Sequence, residues 1–377
     1  MGLPRRGDGT IVPLLDLTRE YQTIRAEVEE SWAATLAQMH LLKGPHADAF
    51  EHEISAYLGT AGACGVGSGT DALILGLLAL DVGPADEVII QANAFVAAIE
   101  AVRSTGAQPV IVDIDPEGLG PDVDQVARAL TPRTKAIIAV HMYGAPLDLA
   151  ALCTLARQRD LWVLEDASHA PGAARDGRKV GTVGDLGCFS AGVVKNLGAY
   201  GDAGFVTSGD AARVARVRLL RSHGQERKNE HVVYGLNSRL DELQAAVLRI
   251  KLRHLDARNR RRREIAAYYT ERFASLEVRT PRERPGEMHV YHQYVVRTPH
   301  RAALQQHLKA AGVETGIHYP VPLHRQPAFL RSYGETPSLP HAEQLAREVL
   351  SLPVFPDLSD AESEYVADHV VEFFRGL

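Results

Sequence analysis

Short apolar runs alternate with amphipathic stretches between residues 60 and 210, and this alternation limits the possible folds more than any other feature of the sequence. The apolar runs predict strands at residues 87–90, 109–112, 136–140 and 161–164, with two more at 187–190 and 204–208. Stretches with helical spacing lie at residues 70–80, 94–104, 123–130 and 149–159. Buried strands that alternate with helices are typical of βαβ units. The sequence therefore predicts an α/β fold with a mostly parallel mixed sheet sandwiched by helices.

The pattern changes after residue 210, and the 377 residues exceed what a single hydrophobic core usually holds. Residues 238–270 predict a long helix with two apolar stripes, which indicates burial on more than one side. The stripes are formed by Leu240, Leu243, Val247 and Ile250, and by Leu248, Leu252 and Leu255. We expect a large domain over residues 1–250, with an N-terminal helical arm, and a smaller C-terminal α+β domain over residues 251–377.

Composition and charge exclude several classes of protein. Lys and Arg total 41 against 47 Asp and Glu, and the net charge of −6 argues against a nucleic-acid partner, because phosphates are bound by basic surfaces. The longest apolar run, residues 72–80, is much shorter than the roughly 20 residues of a membrane-spanning helix, so no membrane partner is expected. The basic run at residues 260–263 predicts a solvated helix face.

Cysteine usage and the N-terminal residues favour a cytoplasmic location. Cys64, Cys153 and Cys188 are too few for a disulfide framework and form no Cys-x-x-Cys pair. Arg5 and Arg6 are followed by Gly-Asp-Gly rather than by an apolar segment, so the sequence predicts no secretory signal. Free cysteines without such a signal are typical of proteins in a reducing compartment.

A glycine-rich turn joins a short apolar strand to a helix that opens at Thr70. This turn, Gly65-Val-Gly-Ser-Gly-Thr-Asp71, could present unpaired backbone N–H groups to an anion such as phosphate. It lacks the third glycine of a dinucleotide fingerprint and the Gly-Lys of a P-loop. The alternative is a tight turn in which Ser68 or Thr70 only caps the helix. This stretch alone does not decide between the two.

Two further stretches carry groups suited to chemistry. A predicted strand delivers Asp166 at its carboxyl end, where ligands bind in open α/β sheets, and His169 follows three residues later. Lys195 is the sole Lys or Arg between residues 180 and 212, and burial would lower the pKa of its amine and make it nucleophilic towards an aldehyde. Taken singly, Asp166 also fits a strand-end turn and Lys195 an exposed loop lysine.

Other polar residues give weaker signals. Asp113 and Asp115 follow a predicted strand and imitate the Asp-x-Asp motif of metal-dependent glycosyltransferases, but no neighbouring acid supports a metal site. Four histidines lack the spacing of zinc ligands, namely His141, His169, His318 and His324. The sequence therefore predicts no metal.

The stretches around Lys195, Asp166 and Thr70 fit one ligand when they are taken together. Pyridoxal phosphate requires a lysine for its imine, a carboxylate beside its pyridine nitrogen, a phosphate-binding turn and an aromatic cover. The sequence offers Lys195, Asp166, the Gly69-Thr70 turn and Phe95 in an order that a doubly wound sheet could bring together.

Longer motifs resemble those of one family. The chain is similar to the sugar aminotransferases of the DegT/DnrJ/EryC1/StrS family, which are pyridoxal phosphate enzymes of fold type I in the aspartate aminotransferase superfamily. The similarity runs from Val12 to Pro353, nearly the whole chain. It is carried by Gly67-Ser-Gly-Thr-Asp-Ala-Leu73, Glu165-Asp-Ala-Ser-His169, Lys195-Asn-Leu-Gly-Ala-Tyr-Gly-Asp202, Asn237-Ser-Arg-Leu-Asp-Glu-Leu-Gln-Ala-Ala246 and His318-Tyr-Pro320.

The resemblance implies a role for each matching residue around the cofactor ring. Lys195 would form the imine with the cofactor and would then serve as the base that moves the proton. Asp166 would pair with the ring nitrogen, and His169 would lie beside the ring as a third catalytic group. Phe95 would cover the ring face.

The resemblance also implies how the phosphate is held. The turn at Gly69 would supply the backbone N–H groups of Thr70 and Asp71, and Ser190 would add its side chain. Asn237 would reach the phosphate of the neighbouring subunit, which implies a homodimer with shared active sites.

The reaction implied by the resemblance moves an amino group from L-glutamate, which becomes 2-oxoglutarate, to a nucleotide-linked keto sugar. His318 and Tyr319 lie in the segment that binds the sugar. The form of the motif that begins at Lys195 resembles members that act on 3-keto sugars. We therefore expect a dTDP-3-keto-6-deoxyhexose 3-aminotransferase of deoxyaminosugar and antibiotic biosynthesis.

Several alternatives stay open at this point. Ala94, Ala203 and residues 191–194 depart from the family pattern, so a 4-keto sugar or a keto-cyclitol is an alternative substrate. A non-catalytic sugar-binding or regulatory protein on the same fold is another alternative, and an Asp-x-Asp glycosyltransferase a third. Sugar dehydratases of the family carry His at the lysine position, and Lys195 argues against that reaction.

Overall fold

The computed structural model describes residues 11–116 and 119–377, so the expectation drawn from Arg5 and Arg6 lies outside the described residues. The helices within these ranges are α1 (Leu17–Gln38), α2 (Pro45–Leu58), α3 (Gly69–Ala79), α4 (Ala97–Ser104), α5 (Val123–Ala129), α6 (Ala150–Gln158), α7 (Ala211–Leu220), α8 (Glu242–Arg272), α9 (Arg301–Ala310), α10 (Pro327–Tyr333), α11 (Pro340–Glu348) and α12 (Asp360–Arg375). The strands are β1 (Gly62–Val66), β2 (Glu87–Gln91), β3 (Gln108–Val112), β4 (Thr134–Val140), β5 (Trp162–Asp166), β6 (Ala174–Arg175), β7 (Arg178–Lys179), β8 (Leu186–Ser190), β9 (Gly204–Ser208), β10 (Gln225–Arg227), β11 (Glu230–His231), β12 (Glu287–Met288), β13 (Tyr294–Arg297) and β14 (Val349–Leu352).

Seven strands form the central sheet, in the order β1-β9-β8-β5-β4-β2-β3. Neighbouring strands are parallel except at β9, which runs antiparallel to both β1 and β8. The predicted α/β fold with a mostly parallel mixed sheet is therefore confirmed. Six of the strands coincide with the predicted ones to within two residues, because each is a buried apolar run between polar turns.

Helices cover both faces of this sheet. Successive residues of a strand point to opposite faces. Val88 and Ile90 of β2 pack in one hydrophobic cluster with residues of α3 and α4, whereas Ile89 packs in another with residues of α5 and α6. The sheet is thus buried between two helical layers, which leaves the ends of its strands for function.

Helix α8 buries two sides of its first half, as its two apolar stripes predict. One stripe packs against α1 through Val247 and Ile250. The other packs in a cluster with residues of α2 through Leu248 and Leu255. In its second half, Ile265 packs among residues of α9, α12, β13 and β14. Because α8 runs unbroken through residue 250, it joins both parts of the chain, and the division into domains at that residue stays a prediction.

The basic run on α8 differs from the prediction of a solvated face. Arg260 is exposed, but Arg262 is only 5% exposed. Its guanidinium donates to the carbonyl oxygens of Tyr291 and Val354, and burial lowers the pKa of Arg262 to about 9. The prediction is wrong at Arg262 because backbone carbonyls, which composition does not reveal, satisfy its N–H groups.

The cysteines Cys64, Cys153 and Cys188 are all free and buried. Burial raises the pKa of the Cys64 thiol to about 12. None of the helices in residues 11–116 and 119–377 combines the length and the apolar character needed to cross a membrane.

Candidate active site

Lys195 lies in the loop that follows β8, and its amide donates to the Gly192 carbonyl at 2.9 Å. Burial lowers the pKa of its ammonium to about 8, and the charge of Asp166 opposes part of that shift. An ordinary lysine has a pKa near 10.4 and is almost wholly protonated at neutral pH. Lys195 therefore carries a much larger fraction of free, nucleophilic amine.

Asp166 ends β5, the parallel neighbour of β8, and is paired with Cys188 in the register of the two strands. The carboxyl ends of parallel strands meet at one edge of the sheet, so the Lys195 loop leaves from the edge where Asp166 lies. The Asp166 side chain is 6% exposed and accepts a hydrogen bond from the Ser168 amide at 3.1 Å. The predicted pair thus shares one buried site.

His169 is 5% exposed and lies beside the same residues. Burial and the charge of Lys195 hold the pKa of its imidazole well below the usual range, so the ring is neutral. The Tyr143 amide donates to Nδ1 at 3.4 Å. A neutral ring that accepts at Nδ1 carries its proton on Nε2. His169 can therefore donate a hydrogen bond from Nε2 to an oxygen of a bound group.

The predicted phosphate-binding residues come together where α3 begins. A Cβ on Gly69 would lie 2.4 Å from the Cβ of Ser190, so only glycine lets the two approach. The hydroxyl of Ser68 accepts from the Asp71 amide at 3.0 Å and caps the helix, so the Asp71 amide, which was expected to bind the phosphate, already has a partner. The amides of Gly69 and Thr70 have no partner within a helix and point to the place an anion would take. Ser68, one of the two predicted caps, is confirmed as the cap.

The Asp71 carboxylate is directed away from that place. It accepts a hydrogen bond from the Ser238 hydroxyl at 2.8 Å, and the same hydroxyl accepts from the Gly67 amide at 2.9 Å. The structure therefore brings Ser238 to the start of α3 of its own chain. The neighbouring Asn237 is exposed.

Aromatic side chains form one wall of the site. Phe95 is 50% exposed, and its ring centroid lies 5.3 Å from that of Tyr319. Burial and the Asp166 charge raise the pKa of Tyr319 to about 12. His318 makes a 2.8 Å hydrogen bond through Nδ1 with the Ser351 hydroxyl, and burial with the Lys195 charge lowers its pKa to about 4. The Lys195 charge thus acts on His318, and the Asp166 charge acts on Tyr319.

Sequence reasoning missed three residues that hold this arrangement. Asn196 donates through Nδ2 to the carbonyl of Val290 at 3.0 Å, so its Oδ1 is left to accept from Nδ1 of His292 at 3.2 Å. The His292 ring lies 4.5 Å from the His169 ring, centroid to centroid. Asn196 lies inside the lysine motif and could have been noticed, whereas nothing in the sequence marks His292.

Tyr143 is the third missed residue. It has a φ of 60°, which is unusual for an aromatic residue, and its hydroxyl donates to the His318 carbonyl. This contact, together with the hydrogen bond that the Tyr143 amide donates to His169, connects the His318 segment to the end of β4. The signal in the sequence was only its position just after a predicted strand.

A large cavity of about 1120 Å³ lies next to these residues, and Tyr143, Gln293 and Arg297 contribute to its lining. Lys195, Asp166 and Phe95 are not among its lining residues. The candidate active site is therefore the cluster at the strand ends and not this cavity.

Asp113 has a structural role. It is fully buried, and its carboxylate accepts from the amides of His341 and Ala342 at 3.0 and 2.8 Å. It thus binds the first turn of α11, where a negative charge stabilises the N-terminal end of the helix. These contacts occupy the Asp113 carboxylate that a metal-dependent glycosyltransferase would need for its ion.

The clustered residues fit pyridoxal phosphate. Lys195 supplies an amine of lowered pKa for the aldehyde, and buried Asp166 supplies a carboxylate for the ring nitrogen. The close contact of Gly69 with Ser190 leaves a turn without side-chain bulk beside free amides, as a phosphate requires. Phe95 is exposed enough to cover a ring.

Comparison with known proteins agrees with this fit. The family model described as the DegT/DnrJ/EryC1/StrS aminotransferase family matches residues 22–371. The dTDP-3-amino-3,4,6-trideoxy-alpha-D-glucose transaminase of Streptomyces venezuelae is 44% identical over 98% of this chain and 97% of its own. The pleiotropic regulatory protein of Geobacillus stearothermophilus is 42% identical over 97% of this chain and 99% of its own.

A solved structure of DesV from S. venezuelae, in complex with a ketimine intermediate, superimposes with a TM-score of 0.94 at 44% identity. The match covers 96% of this chain and 98% of that one. The chain therefore belongs to the DegT/DnrJ/EryC1/StrS aminotransferase family, whose members use pyridoxal phosphate.

Proposed function

We propose that this aminotransferase moves the amino group of L-glutamate to the keto carbon of a dTDP-3-keto-6-deoxyhexose, as a 3-aminotransferase of deoxyaminosugar biosynthesis. Two findings support the choice of substrate. A transaminase of a dTDP-3-amino sugar is 44% identical along almost the whole of both chains. The motif from Lys195 to Asp202 also has the form that resembles members acting on 3-keto sugars.

The pairing of Lys195 with Asp166 at one edge of the sheet carries the proposal. Pyridoxal phosphate, when bound, supplies a ring that accepts electrons. The Asp166 carboxylate favours a protonated nitrogen on that ring, because a buried negative charge stabilises a neighbouring positive one. The Lys195 amine accepts a proton at Nζ and returns it, and its pKa of about 8 allows both directions near neutral pH.

Other residues orient the reactants. His169 donates from Nε2 to an oxygen of the bound group, and Ser190 with the amides at Gly69 and Thr70 holds the phosphate. Phe95 and Tyr319 offer flat surfaces for the ring and the sugar. Holding the reacting groups in place in this way lowers the entropy that the reaction must lose.

We also assign a homodimer with shared active sites. Asn237 is exposed in its own chain, and it follows a segment in which Tyr234 is 100% exposed and Val232 is 48% exposed. Large apolar side chains left open beside a polar one are typical of protein–protein contacts. A partner subunit over this segment would cover both side chains and give Asn237 a phosphate to bind.

A cytoplasmic location belongs to the same proposal. The free, buried cysteines are consistent with a reducing compartment. Measuring the protein in soluble and secreted fractions of its host checks this location.

Incubation with a panel of substrates tests the reaction. Purified protein, pyridoxal phosphate and L-glutamate are combined with dTDP-linked 3-keto and 4-keto 6-deoxyhexoses, the matching UDP sugars, and a keto-cyclitol. We expect the amine from the dTDP-3-keto sugar, read by mass spectrometry, together with an equal amount of 2-oxoglutarate. Lys195→Ala should abolish both products, whereas Lys309→Ala, an exposed lysine on α9, should leave them unchanged.

Each alternative predicts a different result from the same panel. An amine formed mainly from a 4-keto sugar or a keto-cyclitol would correct the substrate. A protein that binds the cofactor but never converts glutamate to 2-oxoglutarate would be a regulatory protein, the function that the name of the Geobacillus relative suggests.

A further inference from the structure

Three side chains that can bind metals meet on the outer side of the C-terminal helices, away from the lysine motif in sequence. His369 and Glu372 lie three residues apart on α12, so they share one face of that helix. His307 lies on α9 opposite them. The ligand atoms of the three residues all lie within 4.8 Å of one another.

Two of the three separations are close to those of a coordination sphere, and the third, between the two histidine nitrogens, is within 4.8 Å. Nδ1 of His369 lies 2.9 Å from Oε2 of Glu372, and Nε2 of His307 lies 3.8 Å from the same oxygen. Ligands about 2.0–2.2 Å from a tetrahedral zinc ion lie about 3.3–3.6 Å from one another. The two measured separations lie on either side of that range, so small side-chain movements complete the geometry.

A second observation comes from the ring of His307. Its Nε2 atom is shielded from solvent and has no hydrogen-bond partner among the described residues. Buried polar atoms of folded proteins nearly always have a partner, and an unpaired one calls for an explanation such as a bound ion. The His307 ring packs 5.6 Å from the Phe373 ring, centroid to centroid, and its Nε2 atom lies 3.8 Å from Oε2 of Glu372.

We propose that His307, His369 and Glu372 bind a divalent transition-metal ion, with Zn²⁺ as the ion that fits them. Two imidazoles and one carboxylate form a ligand set that zinc takes in proteins, with water in the fourth position. The side chain of Glu372 is 66% exposed, which leaves an open path for the ion and for that water. Magnesium and calcium, which prefer oxygen ligands, do not fit two histidines.

Binding needs one proton to move. The hydrogen bond to the Glu372 carboxylate places the proton of a neutral His369 ring on Nδ1. For Nδ1 to coordinate the ion, that proton passes to solvent and another proton binds at Nε2. The number of protons on the ring is therefore unchanged. The charge of the ion is then partly balanced by the carboxylate.

The bound ion would tie α9 to α12. Leu304 and Leu308 of α9, and Val366 and Val370 of α12, already pack in one hydrophobic cluster with β13 and β14. A metal bridge on the outer side of that cluster would stabilise this part of the chain without touching Lys195. The sequence prediction of no metal rested on Asp113, Asp115 and four other histidines, and it did not include this group.

Zinc titration of the pyridoxal phosphate-loaded protein, freed of any affinity tag, tests the proposal. Calorimetry with ZnCl₂ measures the binding, and the visible absorption of added Co²⁺ reports coordination by nitrogen and oxygen ligands. We expect His307→Gln and Glu372→Gln each to weaken binding by about tenfold or more, because losing a ligand costs at least as much as losing a residue that orients one.

His254→Gln provides a matched control. His254 forms an exposed pair with Glu27 at 3.8 Å, which resembles the proposed site but is not part of a three-ligand group among the described residues. Its loss should leave zinc binding unchanged. Zinc should also raise the thermal midpoint of the wild type but not of Glu372→Gln, whose exposed side chain can change without unfolding. Equal zinc binding by the wild type and the two ligand variants, or none by the wild type, overturns the proposal.

Discussion

At the scale of single residues, Lys195 is subject to two opposing electrostatic effects. Burial lowers the pKa of its ammonium, and the Asp166 charge raises it, with a net value of about 8. Three imidazoles nearby, those of His169, His292 and His318, have lowered pKa values and stay neutral. The lysine is therefore the group of this cluster whose charge changes near physiological pH.

The pH dependence of covalent capture follows from these effects. The rate at which the cofactor-free protein captures pyridoxal phosphate should rise with pH and reach half of its maximum near pH 8, where half of Lys195 is unprotonated. Asp166→Asn removes the charge that raises the pKa of Lys195, so the midpoint should move to lower pH. Borohydride trapping followed by mass spectrometry measures the rate. A midpoint that moves to higher pH, or does not move, contradicts the proposed coupling.

His169 offers a second test at this scale. Because the Tyr143 amide places its proton on Nε2, the ring acts as a hydrogen-bond donor. His169→Gln keeps an N–H donor and should retain most of the turnover, whereas His169→Leu should lose about 10- to 100-fold, the value of one charge-assisted hydrogen bond. Steady-state rates of 2-oxoglutarate formation compare the two. Equal losses in both variants would mean that volume, and not the donor, matters.

The sequence reveals some of these residues and conceals others. Lys195 and Asp166 are recognisable because each lies just beyond an apolar run that forms a strand, and parallel strands gather such residues at one edge. His292 is concealed, because its contact with His169 depends on how the segment after α8 folds back over the sheet. The role proposed for Asn237 would depend on a second copy of the chain, so only the resemblance to the family, and not spacing or hydropathy, suggests it.

At the scale of elements, α8 combines the functions of a core helix and a support for the site. Its apolar stripes pack against α1 and α2, as their spacing predicts. Its buried polar residues are not predictable from spacing. Asn259 donates to the carbonyl of Pro171 at 3.0 Å, and Arg262 donates to the carbonyls of Tyr291 and Val354. The Arg262 contacts fix the segment that carries His292 against the helix, and the Asn259 contact fixes the segment that follows His169.

Replacement of Arg262 measures that support. Arg262→Ala leaves buried carbonyl oxygens without donors and should lower the free energy of unfolding by at least about 1–3 kcal/mol. Arg260→Ala, at an exposed position in the same run, should change it by less than about 0.5 kcal/mol. Urea unfolding at neutral pH compares them. Similar losses in both variants would show that burial of Arg262 does not stabilise the fold.

At the scale of the whole molecule, the proposed shared site can be tested by mixing subunits. Lys195→Ala and Asn237→Ala should each be impaired alone. If Asn237 serves the neighbouring site, co-expression of the two variants restores one complete site in each mixed dimer. With random pairing about half of the dimers are mixed, so we expect about a quarter of wild-type turnover. Turnover of the purified mixture measures the recovery.

The control for this experiment pairs Lys195→Ala with Asp166→Asn. Both residues lie in the site of their own chain, so no mixed dimer has a complete site and no recovery is expected. Recovery in the control, or its absence in the first mixture, contradicts a site shared through Asn237.

The burial of all three thiols has a practical consequence for following motions of the protein. Cys188 lies on β8 beside Asp166, and its Sγ contacts the Ala72 carbonyl of α3 at 3.3 Å. An alkylating reagent can reach this sulfur only when α3 separates from the sheet. The rate at which Cys188 is alkylated therefore measures how often the structure opens around the cofactor pocket, and no probe has to be introduced.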